Sequence, residues 1–314
     1  MEGPSPDDPR PKTDREGAAD MAALLVIIVI GVVVRAYYLS LPIKYDEAFT
    51  FLEYAQQPLR NAISNYSFPN NHILHTLFVH FAVILFGPHE WALRLPAFVF
   101  GALVIPATYV LGRMFSKVEA ALLAAALVAG SSKLIEYSVN ARGYTLLVLC
   151  SIALVAIGFH LIRTATVRAW AAFAVVAPLG FFTIPTMLYV YAAVLLWVTA
   201  SRGPDRVTLR CICIVSLAAF SITAVLYLPA LLHSGPRALL ANPYVHPLRL
   251  HELLSQAPML PSFLWDSWTE AVPVPVLIAL LIGLATFRRK KPFSDDRETN
   301  LGARTRRQVA AEKL

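Results

Sequence analysis

Apolar runs close to twenty residues long recur along this chain, and no other feature constrains its fold as much. About twenty consecutive apolar residues cross the hydrocarbon core of a bilayer as a helix. Inside that core, only structures that satisfy their own backbone hydrogen bonds are tolerated. The runs lie at about residues 21–41, 91–112, 118–136, 144–162, 168–183, 185–200, 209–232 and 271–287. Hydrophobic residues make up 57% of the 314 and charged residues 15%, against roughly 25% charged in soluble domains. The expected fold class is an all-α polytopic membrane protein with about eight transmembrane helices plus extracytoplasmic interfacial helices.

A further apolar stretch, 70–87, is ambiguous, and charge decides how it is read. Cytoplasmic loops are enriched in Lys and Arg. With 70–87 lying along the outer interface, the cytoplasmic loops hold Arg113/Lys117, Arg163/Arg168 and Arg202/Arg206/Arg210. Together with both termini, that side then carries 19 of the 27 Lys and Arg residues. A spanning 70–87 inverts every later loop. The sequence therefore predicts both termini in the cytoplasm and 70–87 as an amphipathic interfacial helix, with His72 and His75 on one helical flank.

The net charge of +7 is unevenly placed. Residues 288–314 carry nine basic residues against four acids, whereas residues 1–20 carry three against six. The cluster Arg288-Arg289-Lys290-Lys291 abuts an apolar run, so it reads as a membrane-lipid anchor and gives no reason to expect a nucleic-acid partner. The expected organisation is a disordered cytoplasmic N-terminus over 1–20, a membrane domain over 21–287 and a basic disordered cytoplasmic tail over 288–314, in the plasma membrane. The first run reads as a retained signal anchor, since its leading segment is long and acidic and no small-x-small cleavage site follows. Cys150, Cys211 and Cys213 show no ligand-type spacing and read as packing residues.

This topology puts the chemistry-bearing residue types on the extracytoplasmic side. Asp46 and Glu47 follow the first run directly. Adjacent carboxylates at a membrane border suit a general base for a hydroxyl acceptor, alone or with a divalent metal. They equally suit an acidic pair opening an interfacial helix, where the helix dipole favours acids. Arg142 borders a later span on the same side, against the usual positive bias. It can grip phosphate through its planar fork or act as an anchor that extends its head to the interface. Lys133 and Glu136 lie nearby at a spacing that lets them pair with each other.

Arg35 lies inside the first run, suited to reaching the interface or lining a groove, and Arg94 reads as an interfacial anchor. His72 and His75 could hold phosphate or a metal. A later outer loop carries His233, His246, His251, Trp265, Asp266, Trp268 and Glu270, which equally describes an aromatic belt. No Walker A or dinucleotide glycine motif occurs, so a nucleotide-linked donor has no evident site.

The order of several short motifs resembles the GT-C class of integral-membrane glycosyltransferases, in the branch of protein O-mannosyltransferases and bacterial aminoarabinose transferases. The residues that carry the resemblance are Asp46-Glu47, Asn71-His72-Ile73-Leu74, Leu85-Phe86-Gly87, Arg94-Leu95-Pro96, Tyr109-Val110-Leu111-Gly112-Arg113 and Ala141-Arg142-Gly143-Tyr144. They cover about residues 21–200. The resemblance implies a sugar donor carried on a polyprenyl phosphate and used on the extracytoplasmic face. It also implies a glycan, lipid or protein acceptor, and inversion at the anomeric carbon in a single displacement.

By the same resemblance Asp46 is the catalytic base, assisted by Glu47, and Arg142 lies near the donor phosphate. Tyr144, Asn71, His72, His75 and Lys133 complete the expected substrate-binding set. Asn140 stands where members often have Glu, and many members are longer, so a minimal member, a subunit or an inactive variant are all expectations. The competing function class is a non-catalytic membrane protein, either a lipid-sugar transporter or a scaffold for envelope glycan enzymes. Transporters favour interrupted helices with charges buried mid-span, and apart from Arg35 the runs carry few.

Overall fold

The computed structural model describes residues 14–240 and 249–269, and all regular structure among them is helical. The chain divides after Arg249 into two units. In the first, α1 (Asp14–Tyr37) leads through a turn to α2 (Tyr45–Thr50), which continues as a π-helical turn over Phe51–Ala55. Next come α3 (Leu59–Ser64), α4 (Ile73–Phe86), α5 (Glu90–Phe115), α6 (Val118–Gly130) and α7 (Ser132–Ser138). The unit ends with α8 (Tyr144–Arg163), α9 (Val167–Thr183), α10 (Met187–Arg202), α11 (Arg206–Ser234) and the short α12 (Pro236–Leu240). Residues 14–20, expected in the polar tail, form the first turns of α1.

Four helices are long and apolar enough to cross a membrane: α1 from Gly17, α5, α8 and α11. The pair α6–α7 makes a fifth if its two arms, bent by 60°, are one span. The count of eight is thus not reached among the described residues. At 17 and 16 residues, α9 and α10 rise only about 24–26 Å, less than the roughly 30 Å of hydrocarbon. The run at 271–287 and the basic tail lie outside the described residues. α1 exposes Leu25, Val29 and Val33, and α11 exposes Leu217, Val225 and Leu232. Helices apolar on every face behave this way when lipid is the solvent.

The bend between α6 and α7 has a visible cause. Ser131 is extended and caps α7, its hydroxyl accepting from Leu134 N–H. The carbonyls this leaves free are taken up by Arg35, which is fully buried. Its guanidinium donates to Val128 O and Ala129 O at 3.1 and 2.9 Å, and its Nε donates to Ser138 Oγ at 3.0 Å. A basic group at a helix C-terminus satisfies carbonyls that the helix cannot. The buried arginine of the first span therefore holds a broken helix. It neither reaches the interface nor lines a groove.

Packing sets α5 at the centre, against α1, α4, α6, α7 and α8. One apolar core joins α8, α9, α10 and α11 around Leu154, Leu161, Phe173, Met187 and Val198. A second joins α1, α5 and α6 around Leu24, Ile105 and Ala125. A small cluster of Ala55, Val79, Leu93 and Ala141 joins the π-turn, α4, α5 and the segment before α8. α4 buries Ile73, His75, Thr76, Val79 and Ala82 and exposes Phe81, Ile84 and Leu85. His72 is the N-cap of α4 and not a helical residue.

In the second unit, the described residues form α13 (Leu250–Gln256), a 3-10 turn over Ala257–Met259 and α14 (Leu260–Thr269). Leu250, Leu254, Met259 and Phe263 are exposed there. Of the outer-loop residues singled out in the sequence, His246 and Glu270 lie outside the described residues.

Candidate active site

Arg94, one turn into α5, organises the site. It is 1% exposed and donates to Leu39 O, Leu41 O and Pro42 O at 2.9, 2.6 and 3.1 Å. These bonds fold the turn that leaves α1. The same guanidinium grips both oxygens of Glu47, Nε to Oε1 at 2.8 Å and Nη2 to Oε2 at 2.6 Å. Glu47 also accepts from Lys44 N–H and Ala141 N–H, each at 2.9 Å. The Lys44 bond is the returning half of a capping box for α2. Burial alone would raise the Glu47 pKa. The hydrogen bonds from Arg94, Lys44 and Ala141, with the Arg94 charge, outweigh burial and hold it below the ordinary carboxylate range. Both Glu47 oxygens are thus occupied by the protein.

Asp46, the residue before it, points the other way. Its Oδ2 meets Arg142 Nη1 at 3.0 Å, with the Asp46 side chain 56% exposed and that of Arg142 7%. Arg142 lies in the five-residue segment 139–143 between α7 and α8, and backbone hydrogen bonds clamp that segment on both sides of it. Ala141 N–H donates to Glu47, and Gly143 N–H donates to His72 Nδ1 at 2.9 Å. Arg142 Nη2 reaches Asn70 Oδ1 at 3.4 Å, while its Nε is buried with no hydrogen-bond partner. Gly143 is required for space: a Cβ there would lie 2.7 Å from Thr183 Cγ2 and 3.1 and 3.2 Å from the Cβ atoms of His72 and His75.

The other expected binding residues surround this pair in differing states. Asn71 is spent within the chain, donating to Ala62 O and Asn65 O and accepting from the Thr76 hydroxyl. Tyr144 stacks edge-on to His72 with centroids 5.3 Å apart, and the Arg142 guanidinium lies 5.4 Å from its ring centroid. His75 is buried, and neither ring nitrogen has a hydrogen-bond partner. Burial first, then the Arg142 cation, push both histidines down, His75 to about 3, so both rings are neutral. Which nitrogen carries the proton is set for His72 alone, where Nδ1 accepts from Gly143 and Nε2 therefore bears the hydrogen.

Lys133 stands apart from the pair. It reaches Glu136 at 3.3 Å, and Glu136 also takes Lys44 at 3.0 Å. Beside this group a cavity of about 400 Å³ opens between the end of α1, the 41–44 turn and α7, with Lys44, Arg94 and Glu136 among its walls. Ligand pockets are commonly of this size. Among the described residues, no group of three or more His, Cys, Asp or Glu side chains is placed to hold a metal ion.

Arg94 is the functional residue that sequence reasoning misjudged. An arginine opening an apolar run is ordinarily an interfacial anchor. The available signal was its place in Arg94-Leu95-Pro96, a basic residue opening an apolar run downstream of an acidic pair. Asn70 was also missed, next to the more conspicuous Asn71-His72.

A family model described as dolichyl-phosphate-mannose-protein mannosyltransferase matches residues 70–232, just over half of the chain. It takes in Asn70, His72, His75, Arg94 and Arg142, and begins after Asp46 and Glu47. No individual curated protein and no solved structure matches.

Proposed function

The chain belongs to the dolichyl-phosphate-mannose-protein mannosyltransferase family, and from that premise we propose that it transfers a sugar from a polyprenyl-phosphate donor to a hydroxyl acceptor on the extracytoplasmic face. The acceptor is a glycan, a lipid or a protein. The observation that carries this reading is the convergence of Asp46 and Arg142 at 3.0 Å, from segments far apart in sequence. One is an exposed base; the other is a nearly buried cation with N–H groups to spare.

In the reaction Asp46 accepts the proton of the acceptor hydroxyl as its oxygen attacks the anomeric carbon. The bond from that carbon to the phosphate oxygen breaks, and its electron pair leaves with the phosphate. Arg142 holds the phosphate and stabilises the charge that develops on it. One displacement inverts the anomeric centre and needs no covalent enzyme intermediate. Glu47, with both oxygens engaged by the chain, acts as a positioning residue for Asp46. His72 positions the segment around Arg142 in the same way, through Gly143 N–H.

The test is transfer of radiolabelled sugar by purified protein, comparing a polyprenyl-phosphate sugar with the matching nucleotide sugar. Transfer from the lipid donor, abolished in Asp46→Asn, supports the reading. Transfer from the nucleotide sugar alone refutes the donor assignment. No transfer from any lipid donor favours a non-catalytic role as transporter or scaffold.

A further inference from the structure

We propose that the Asp46–Arg142 ion pair is a latch opened by the donor phosphate, so that one binding event both secures the leaving group and frees the base. The donor then binds before the acceptor. This inference rests on the donor reading above and adds an order of events to it.

Three features of the pair support it. First, Arg142 is under-satisfied. Of its five N–H donors, one meets Asp46, one reaches Asn70 at the long distance of 3.4 Å, and Nε is buried without a partner. A polyprenyl-phosphate sugar is a phosphodiester with two free oxygens, which suits a planar fork better than one carboxylate oxygen does. Its surroundings are also short of partners: both ring nitrogens of His75 and Asn140 Oδ1 are buried without hydrogen bonds.

Second, the two ends of the pair differ in what they lose on separation. Asp46 is 56% exposed and returns to water at little cost, whereas Arg142, at 7%, needs a counter-charge in place. A phosphate supplies that charge as the carboxylate leaves. Third, the backbone on both sides is fixed. Ala141 N–H and Gly143 N–H are tied to Glu47 and His72, and Glu47 is tied to Arg94. The exchange is therefore a rotation of the Asp46 side chain, with no movement of α2.

Until it rotates, Asp46 Oδ2 is occupied by the guanidinium, and the carboxylate is held in the orientation of the ion pair. The base is thus turned toward an acceptor only once a donor is bound.

The test is equilibrium binding of sugar-free undecaprenyl phosphate to the full-length protein in lipid nanodiscs, with uncharged undecaprenol as control. Asp46→Asn should bind the phosphate roughly two- to fivefold tighter than wild type, the effect of removing one half-exposed competing ion pair. Asp46→Ser, whose shorter side chain does not reach the guanidinium, should bind the phosphate tighter even where the asparagine amide replaces the lost contact. Arg142→Ala should bind more weakly, and adding Asp46→Asn to it should gain nothing. Wild-type binding that is lost in Arg142→Ala but gains nothing in either Asp46 variant overturns the latch and leaves the donor reading standing. Absence of phosphate-dependent binding in every form, or equal binding of undecaprenol, overturns both.

Discussion

The Glu47 carboxylate and the Arg94 guanidinium meet through two hydrogen bonds, of 2.6 and 2.8 Å, with side chains 0% and 2% exposed. The pair anchors α2 to α5 at its first turn. Since successive helical residues point about 100° apart, fixing Glu47 inward leaves Asp46 directed at Arg142. The two neighbouring acids therefore have different work, one holding the helix and the other facing the site.

Breaking the buried pair should be costly. Arg94→Met leaves Glu47 charged without its partner and removes the donor for three carbonyls of the 39–42 turn. The expected loss is about 3–5 kcal/mol, the range for a buried ion pair with one member removed. Thermal unfolding in detergent should show a large drop for Arg94→Met and smaller ones for Glu47→Gln and Asp46→Asn, the last because it leaves the nearly buried Arg142 cation without its carboxylate. Equal melting temperatures for Arg94→Met and wild type would contradict the anchoring role.

The same pair sets an acid limit on stability. The folded Glu47 pKa lies below its ordinary value of 4.5, so its contribution is complete above that value. The contribution fades as pH falls from there through the folded pKa. The gap in melting temperature between wild type and Glu47→Gln should stay constant from pH 7 to about pH 4.5 and close below it. A gap that widens on acidification would reverse the sign and refute the assignment.

Under the proposed mechanism, Asp46→Asn keeps the shape of the base and removes its function. Turnover should fall by about 10²–10⁴, the usual contribution of general acid–base catalysis. Glu47→Gln should fall less, because Glu47 only positions its neighbour. A well-folded Asp46→Asn protein with wild-type transfer would remove Asp46 from the mechanism.

Gly143→Ala tests the close packing of the Arg142 segment. The added methyl collides with Thr183 Cγ2 and presses on His72 and His75, at an expected cost of about 1–3 kcal/mol for overpacking. Transfer should fall with it, since the collision displaces the neighbour of Arg142. Adding Thr183→Ser removes the nearest carbon and should restore part of both losses. Failure of any rescue would place the conflict elsewhere.

Topology is open to direct measurement. In a cysteine-free background, single cysteines at the exposed positions Ser67, Ser116 and Ser201 report on different loops. Ser67→Cys should react with an impermeant thiol reagent applied from outside intact cells, and Ser116→Cys and Ser201→Cys should not. Labelling of all three would make 70–87 a span and invert every later loop, and protection of Ser67→Cys with labelling of the other two would invert the whole chain.

The helices and the break between them illustrate how far pattern alone reaches. The apolar runs of α1, α5, α8 and α11 and the ends of α4 were legible, because a helix in lipid is dictated by local composition. The 60° break after Gly130 was not, because the group that stabilises it, Arg35, comes from a helix about a hundred residues earlier. The lengths of α9 and α10, 17 and 16 residues, were not legible, since hydropathy reports apolar surface and not the reach of the helix that carries it.

The sequence by itself determined that this chain folds as helices for a lipid environment, and it marked Asp46, Glu47, His72 and Arg142 as the residues able to carry chemistry. Only the tertiary structure separated the two acids. Glu47 became a buried anchor because Arg94, Lys44 and Ala141 converge on it, and Asp46 became the exposed partner of Arg142. That division depends on which donors reach which oxygen in space. Residue order cannot encode it, since the donors come from three segments that meet only when α5 and the 139–143 segment pack against α2.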